Sequence, residues 1–498
     1  MDVIFIGSGA AATTTLIELL EKHFSTGDKM ITIGVIEKYD ELWKGIPYGS
    51  RSSINALTIT HTADFIYSEK EKPLFQKWLY DNRHEWVNYY KENGGPAAQN
   101  WISQNLARVE ALQWDKVYLP RFVYGLYTCQ KLSKLIELAE TRHLLKLQTI
   151  KGEAVKVNPV DLGYEVILAD GRCIAGKKVV LAIGSAPVRH HAGKSKNYLY
   201  INDLYQPTAE ANIATILQAL HETANQGDKN VLVIGSNASS IELLYLLSHR
   251  TDILQQINQL VVISRAGIMP HHLSEKELSS YPAHHLDEIK TTGYNVHQLV
   301  IAMKKDLTGA INDTVVVPHI NHIISCTLQL LEPLGQQAKQ TFFSVYGPQI
   351  TRIIRRSGPA YKGAAEQLLA NGKLQLLKGE YLSIDDRDGG AKLFYTDANN
   401  SRQTYSLNFK AVVNCSGSNS LANTASPIIS SLLESGICRT TISGEGILVD
   451  ERFRASHDFY VIGPLLAGNM NNLIHFWHLE NVSRLLYLAP FLANELLS

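Results

Sequence analysis

The first twenty residues constrain the fold of this 498-residue chain more than any other stretch. A short apolar run at Val3–Ile6 has the length and composition of a buried parallel strand. It leads into the turn Gly7-x-Gly9-x-x-Ala12 and then into a segment whose apolar residues have helical spacing. In such a turn, the first glycine permits the sharp bend and the second lets a pyrophosphate approach the backbone. The third small residue lets the helix pack on the strand. The stretch therefore predicts a strand–turn–helix unit that opens a dinucleotide-binding domain.

A second strand is predicted at residues 30–36, and it ends at Glu37. A carboxylate at this place accepts hydrogen bonds from a ribose hydroxyl. The interval from the glycine turn is longer than the usual ~20 residues, and the polar residues 21–29 are interpreted as a longer connection. The N–H groups at the start of the helix, at Ala10 and Ala11, face the anion. A tight turn that binds nothing is the alternative, and the N-terminal position favours FAD as the ligand.

Composition narrows the class of protein. The 47 basic and 47 acidic residues give zero formal charge, so no global field attracts nucleic acid or an anionic membrane. The five cysteines are scattered without a Cys-x-x-Cys pair, which indicates thiols in a reducing compartment rather than a disulfide framework or a metal site. Neither a signal peptide nor a membrane-spanning run is found, so we expect a cytoplasmic protein. The length of 498 residues exceeds what one core holds, so we expect two domains or a split domain.

Residues 229–267 repeat the opening architecture. A strand at 231–234 leads into a turn that starts at Gly235 and includes Ser239, and a helix and a partner strand follow. The partner strand ends at Arg265 instead of an acid, and a guanidinium suits the 2′-phosphate of NADP. The repeat predicts a second dinucleotide site, with NADP as its ligand.

This second turn departs from the glycine pattern at two positions. Asn237 stands at the second glycine position and Ser240 at the third. Asparagine tolerates a positive φ better than most residues, so we expect the turn to survive. Its side chain nevertheless intrudes where a pyrophosphate should lie, so a scaffold that binds no NADP is the alternative.

Three strand-to-glycine segments organise the remainder. Residues 178–184 end at Gly184, where a small residue lets the chain pass a bound FAD, and residues 409–417 repeat this pattern where the chain leaves an inserted domain. The last strand ends at Gly463, and a helix predicted at 471–488 places Asn471 and Asn472 at a second anion-favouring end. The predicted division is an FAD-binding segment at 1–205, an inserted NAD(P)-binding-like domain at 206–409 and a closing FAD segment at 410–498.

Two side-chain clusters are assigned structural roles. The aromatic residues between 75 and 90 have helical spacing and are expected to pack over the core. His319 and His322 lie three residues apart without an acidic or cysteine partner, so we predict no metal site there.

Six ordered motifs together resemble those of bacterial FAD/NAD(P)-binding oxidoreductases, which are distant relatives of flavin-containing and N-hydroxylating monooxygenases. The motifs are Gly7-x-Gly9-x-x-Ala12, Gly45-x-Pro47-Tyr48-Gly49, Pro120-Arg121-x-x-Tyr124-Gly125, Ser264-Arg265-x-Gly267-x-x-Pro270, Asn414-Cys415-Ser416-Gly417 and Ile462-Gly463-Pro464-Leu465. The resemblance implies an α/β fold with two Rossmann-like domains, in which the FAD domain is split by the inserted NAD(P)-type domain.

The resemblance also implies an activity: an FAD-dependent, NADPH-using monooxygenase that oxygenates a small molecule with O₂ through a C4a-peroxyflavin, N-hydroxylation being favoured. It implies further cofactor contacts at Lys38, Tyr48 and Val155, and a place for Asn55 near the flavin. His475 and His478 are candidates to donate to the flavin or substrate, or are core histidines.

Two alternative functions stay open. The departures at Asn237 and Ser240 favour an FAD oxidase or dehydrogenase that its substrate reduces directly. A flavin-binding scaffold without turnover is the other alternative.

Overall fold

The opening strand β1 (Val3–Ile6) is buried on both faces, as an apolar strand at the centre of a parallel sheet must be. It lies in a computed structural model that describes residues 1–26, 29–191, 195–273, 281–311, 314–387, 389–471, 475–476 and 481–498. The remaining elements of the predicted first segment are α1 (Ala10–Thr26), β2 (Ile31–Glu37), α2 (Gly45–Tyr48), α3 (Glu71–Asp81), α4 (Arg83–Asn93), α5 (Gly95–Glu110), α6 (Arg121–Thr141), β3 (Leu145–Lys151), β4 (Ala154–Val160), β5 (Gly163–Leu168), β6 (Cys173–Gly176), β7 (Lys178–Leu181) and β8 (Leu199–Ile201).

The predicted insertion and closing segment follow in chain order. The insertion contains α7 (Ala209–His221), β9 (Asn230–Ile234), α8 (Ala238–Ser248), α9 (Thr251–Gln256), β10 (Gln259–Ser264), β11 (His271–Leu273), α10 (His284–Thr292), α11 (Val296–Ala310), β12 (Thr314–Val315), α12 (Val317–Leu331), α13 (Gly335–Thr341), α14 (Gly347–Ile353), β13 (Arg356–Ser357), α15 (Pro359–Ala370), β14 (Leu374–Lys378), β15 (Glu380–Arg387), β16 (Gly390–Thr396) and β17 (Arg402–Phe409). The closing segment contains β18 (Ala411–Asn414), α16 (Pro427–Glu434), β19 (Arg454–Ser456), β20 (Phe459–Val461), β21 (Asn469–Met470), β22 (His475–Phe476) and α17 (Val482–Leu497).

The first sheet joins the two ends of the chain. Its strand order is β19-β20-β7-β1-β2-β3, and all neighbours are parallel except β19 and β20. Strand β20 of the closing segment pairs with β7, so the sheet is built from both outer segments. The prediction of a split first sheet is confirmed.

The second sheet is parallel throughout, with the order β14-β10-β9-β18-β8. Strands β8 and β18 come from the outer segments, and each lies outside the predicted insertion at 206–409. The second sheet therefore takes one strand from each side of the insertion, and the boundaries themselves stay a prediction.

The sequence misjudged two helices. Helix α1 continues to Thr26, so most of the polar stretch after Glu21 is helix rather than a longer connection. The helix predicted at 471–488 is wrong at its start: residues 475–476 form a strand, and α17 begins only at Val482. The side chain of Asn481 caps α17 by accepting a hydrogen bond from the Ser483 N–H at 2.7 Å.

The aromatic residues of α3 and α4 pack as predicted except Tyr80 and Tyr89, which are exposed. Phe75, Trp86 and Tyr90 are almost fully buried, and the Trp86 and Tyr90 rings each make edge contacts with Trp101 of α5. Their buried rings belong to the same hydrophobic cluster as Val231 and Val233 of β9. Across the described ranges, no helix combines the length and apolar character that a membrane crossing needs.

Candidate functional site

The first glycine turn has the geometry that the sequence predicts. Gly7 has φ +98°, and a Cβ there would lie 2.6 Å from the Ala182 carbonyl oxygen at the end of β7. Only glycine fits such a position. The Thr13 N–H donates to the Gly9 carbonyl at 3.0 Å and is the first helical donor of α1, so the N–H groups of Ala10 and Ala11 have no acceptor within the helix. They are the donors that an anion at this helix end would use.

The Glu37 carboxylate is held at the mouth of this turn. Its Oε2 accepts hydrogen bonds from the Ser8 N–H and the Ser8 hydroxyl, both at 2.9 Å, and its Oε1 accepts from the Tyr39 N–H at 3.0 Å. A carboxylate offers about four acceptor sites, so it can still accept ribose hydroxyls. The structure thus brings Glu37 and the glycine turn together.

Two other segments close around the start of α1. A Cβ at Gly45 would lie 3.0 Å from the Gly9 Cα, and a Cβ at Gly463 would lie 3.2 Å from the Ala11 Cβ. The Thr13 hydroxyl also donates to the Trp43 carbonyl at 2.8 Å. We call these contacts the glycine cradle (Gly7, Gly9, Gly45 and Gly463 around the first turn of α1). Its free N–H groups, small residues and adjacent carboxylate fit the pyrophosphate and ribose of FAD.

Three further residues predicted to contact the cofactor, Lys38, Val155 and Gly184, lie near the first sheet. Lys38 forms an exposed ion pair with Glu153 at 3.3 Å, and Val155 is half-buried two residues further along. Gly184 has φ +82°, and no atom lies within 4 Å of the position a Cβ would take. The space beside Gly184 is therefore open to a ligand.

Tyr48 and Asn55 lie in the stretch of chain that follows Gly45 of the glycine cradle. Tyr48 is buried with its ring 5.0 Å from that of Tyr124, and burial raises the pKa of its hydroxyl well above the usual value. The Asn55 Oδ1 is buried without a hydrogen-bond partner among the described residues, beside an enclosed cavity of about 40 Å³ lined also by Gly94 and Tyr245. The structure places Asn55 between α8 and the turn that joins α4 to α5.

The second anion-favouring end is predicted from a helix that starts at Asn471, but residues 475–476 within that range form a strand, so Asn471 does not open a helix running to residue 488. The Asn471 side chain donates to the Asp450 carbonyl at 3.1 Å. His475 lies on β22 opposite Met470, while Asn472 and His478 lie outside the described residues. A catalytic role for either histidine stays a prediction.

The second glycine turn keeps its shape despite its substitutions. Gly235 has φ +99° and packs against the Cys415 carbonyl, so the first glycine is again required. Asn237 has φ −95° and ψ −161°. The turn thus survives as expected, with Asn237 in extended backbone rather than at the positive φ that asparagine tolerates. Relative to Gly9, Asn237 adds a side chain at the second position of the turn.

Ser239 and Arg265 flank this second turn differently. Ser239 lies in the first turn of α8, close to the side chain of Tyr205. Arg265 follows β10 directly, is exposed, and forms no ion pair or hydrogen bond with the described part of the chain. An unpaired guanidinium beside the turn fits the 2′-phosphate of NADP.

The sequence did not predict the charged pair that lies between the two glycine turns. Arg121 of α6, which is half-buried, forms an ion pair with the buried Glu242 of α8. A charged residue inside the apolar run 241–247 was the available signal, because such a residue is buried only with a partner. No group of three or more potential metal ligands lies together in the described ranges, and the predicted absence of a metal site at His319 and His322 stays a prediction.

Comparison with known proteins identifies the family. Residues 4–186 match the family model described as FAD-NAD(P)-binding. An uncharacterised protein of Mycobacterium tuberculosis is 34% identical over 509 residues, which cover 100% of this chain and 95% of the relative. Two solved structures share the fold over 99% of this chain and 98% of their own: an ornithine N-hydroxylase from Kutzneria sp. 744 (TM-score 0.54, 13% identity) and the reduced form of an ornithine hydroxylase from Pseudomonas aeruginosa (TM-score 0.52, 14% identity). With its glycine cradle and two parallel sheets, the chain belongs to the bacterial FAD/NAD(P)-binding oxidoreductase family.

Proposed function

We propose that this protein is an FAD-dependent monooxygenase that takes electrons from NADPH and oxygenates a small molecule, N-hydroxylation being favoured. The proposal rests mainly on the pair of glycine turns, which follow strand β1 in the first sheet and strand β9 in the second. Glu37 lies beside the first turn and Arg265 beside the second. A carboxylate suits the free ribose of FAD, and a guanidinium suits the phosphorylated ribose of NADPH.

In this proposal the protein binds and orients two cofactors. FAD supplies the redox and oxygen chemistry when bound, so no acid–base dyad is required of the chain. The N–H groups of Ala10 and Ala11 hold its pyrophosphate, and Glu37 accepts from its ribose. Gly184 leaves room for the cofactor beside β7.

The structural neighbours agree with the proposed class without fixing the substrate. The Kutzneria ornithine N-hydroxylase was solved with reduced FAD, NADP⁺ and L-orn. At 13% identity this neighbour supports the fold, and an amine substrate for the present chain is part of our proposal.

A second candidate function is an FAD oxidase or dehydrogenase reduced directly by its substrate. The observation in its favour is that Asn237, directly before α8, carries a side chain at the position where the first turn has Gly9. The two candidates differ in the electron donor, which makes them separable by experiment.

Arg265 provides the test of the NADPH site. We expect Arg265→Ala to raise the Kd for NADPH at least about 10-fold and to leave the weaker binding of NADH unchanged, because only NADPH carries the phosphate that the guanidinium contacts. Binding is measured by calorimetry, with Arg402→Ala as the control because Arg402 is an exposed arginine on β17. Equal losses for NADPH and NADH would contradict the assigned role.

Product analysis separates the two candidate functions. Under air, with NADPH and amine probes such as L-ornithine and L-lysine, the monooxygenase predicts a hydroxylated product detected by mass spectrometry. Flavin bleaching by a substrate in the absence of NADPH would instead establish the oxidase or dehydrogenase.

A further inference from the structure

We propose that the ion pair between Arg121 and Glu242 sets the position of the second glycine turn relative to the first, and that both are positioning residues for electron transfer from NADPH to FAD. The inference rests on the proposed function. It assigns a role to the Pro120-Arg121 motif, which the two cofactor sites leave unexplained.

The pair is one side of a closed triangle of hydrogen bonds. The Arg121 Nη2 donates to the Glu242 carboxylate and, at 2.8 Å, to the Ser52 hydroxyl. The Ser52 hydroxyl in turn donates to Glu242 Oε1 at 3.2 Å. The Glu242 side chain is only 4% exposed, so this carboxylate has been withdrawn from water and depends on these two donors.

Two corners of the triangle, Ser52 and Glu242, each lie close in the chain to one of the glycine turns or to a segment that contacts it. Ser52 lies seven residues after Gly45, which contacts Gly9 in the glycine cradle. Glu242 lies in the second turn of α8, the helix that starts directly after the second glycine turn. A displacement of the pair therefore changes the distance and angle between the two turns.

The surroundings of Arg121 tie the same elements together. Tyr48, Tyr205 and Tyr361 pack in one hydrophobic cluster close to Arg121. Tyr48 belongs to the loop of the glycine cradle, and the Tyr361 hydroxyl bonds both the N–H and the carbonyl of Leu57. Arg121 thus sits where the two dinucleotide units meet.

The covalent connection between the two units does not by itself fix their relative orientation. The chain crosses between the sheets twice, and the two crossings form a short antiparallel ribbon. Arg189 N–H donates to the Gly417 carbonyl at 3.1 Å, and Asn419 N–H donates to the Pro187 carbonyl at 3.2 Å. A two-stranded ribbon can bend as a hinge, so side-chain contacts such as this pair decide the angle at which the units rest.

A purely stabilising role does not account for burying the Glu242 carboxylate beside a half-buried guanidinium. Desolvation offsets much of the attraction in a buried ion pair, and apolar residues of similar volume often give equal stability. The hydrogen bonds of such a pair are satisfied in only one relative orientation of the two side chains. The pair therefore fixes how α6 and α8 lie relative to each other.

The experiment compares Glu242→Gln and the double variant Arg121→Met/Glu242→Met with the wild type. The exposed pair in Arg250→Met/Asp252→Met, just beyond the end of α8, is the matched control. Four quantities are measured: FAD content, the rate of anaerobic flavin reduction at saturating NADPH, the rate at which O₂ reoxidises dithionite-reduced flavin, and amide hydrogen exchange without NADPH.

We expect both core variants to keep FAD and its reoxidation rate, to lose at least about 10-fold in reduction rate, and to exchange faster in residues 51–57 and 238–245. The control should match the wild type throughout. Reduction of the double variant at the wild-type rate would overturn the proposal, since the pair would then be merely structural. If Glu242→Gln fails to fold, the double variant, which leaves no unpaired charge, decides.

Failure of the proposed function is distinguishable from failure of this inference. A wild-type protein that NADPH does not reduce would contradict the proposed function. In that case the exchange measurement still judges the pair: unchanged exchange in both core variants would show that it does not hold the two units together.

Discussion

Glu37 is held beside the first glycine turn by Ser8 and Tyr39 and is the residue that we expect to bind the ribose of FAD. Glu37→Gln keeps the shape of the side chain but removes the charge and one acceptor. We expect the Kd for FAD to rise about 10-fold, or ~1.4 kcal/mol, because a ribose hydroxyl and the Ser8 donors then share fewer acceptor sites. Fluorescence titration of the apoprotein with FAD measures the change.

The matched control is Glu140→Gln, which alters an exposed carboxylate near the end of α6. An exposed charge away from the glycine turn contributes little to FAD binding, so FAD affinity should stay at the wild-type value. A similar loss in both variants would show that overall charge, rather than the position of Glu37, governs FAD binding.

Gly184 can be compared with a second glycine of nearly the same conformation. Gly184 has φ +82° and Gly171 has φ +87°, and no atom lies within 4 Å of either Cβ position. Substitution by alanine should therefore lower the free energy of unfolding by a similar amount, about 1 kcal/mol, at both positions. Only Gly184→Ala should weaken FAD binding, by at least about 10-fold, because its methyl group enters the space assigned to the cofactor.

Urea unfolding and FAD titration measure these two effects separately. Unchanged FAD affinity in Gly184→Ala would remove Gly184 from the cofactor site.

At the scale of elements, the crossing ribbon contains a group whose pKa is shifted. Burial, with Arg189 and His190 nearby, lowers the pKa of His191 below its usual 6.5, and the His191 Nε2 contacts the Ser416 hydroxyl at 2.8 Å. The unfolded chain binds a proton at this histidine at a higher pH than the folded chain does. Its contribution is therefore fully present above pH 6.5 and is lost as the pH falls below that value.

We expect His191→Gln to reduce the loss of stability between pH 7.5 and pH 5. The measurement is urea unfolding at the two pH values, and the chain's 18 histidines make a control necessary. The exposed His84, changed to glutamine, should leave the pH dependence as in the wild type. An unaltered dependence in His191→Gln would show that protonation at this residue does not weaken the ribbon.

The sequence predicted elements well where periodicity and chemistry agreed. Strands β1 and β9 and their glycine turns are formed as expected, because apolar runs followed by glycine have few other conformations. It misjudged α1, whose last turns are polar yet stay helical, since helix length depends on packing as well as on pattern. It also missed the capping signal of Asn481, and so placed the start of α17 about ten residues early.

At the scale of the whole molecule, the sequence indicated a repeated dinucleotide-binding unit but not how the repeats share strands. Strand β18 pairs with β9, some 180 residues earlier in the chain, and no local pattern specifies such a partner. The same limit hid the contact between Arg121 and Glu242, which lie on different units. Pairing across domains follows from tertiary packing, which one sequence does not reveal.

We infer that the two glycine turns bind FAD and NADPH and that electrons pass from the bound NADPH to the bound FAD. An anaerobic titration of the purified protein with NADPH, followed through the visible absorbance of the flavin, tests both sites together. We expect a yellow protein that NADPH bleaches. A colourless protein that cannot be reconstituted with FAD, or a yellow protein whose spectrum NADPH leaves unchanged, would contradict it.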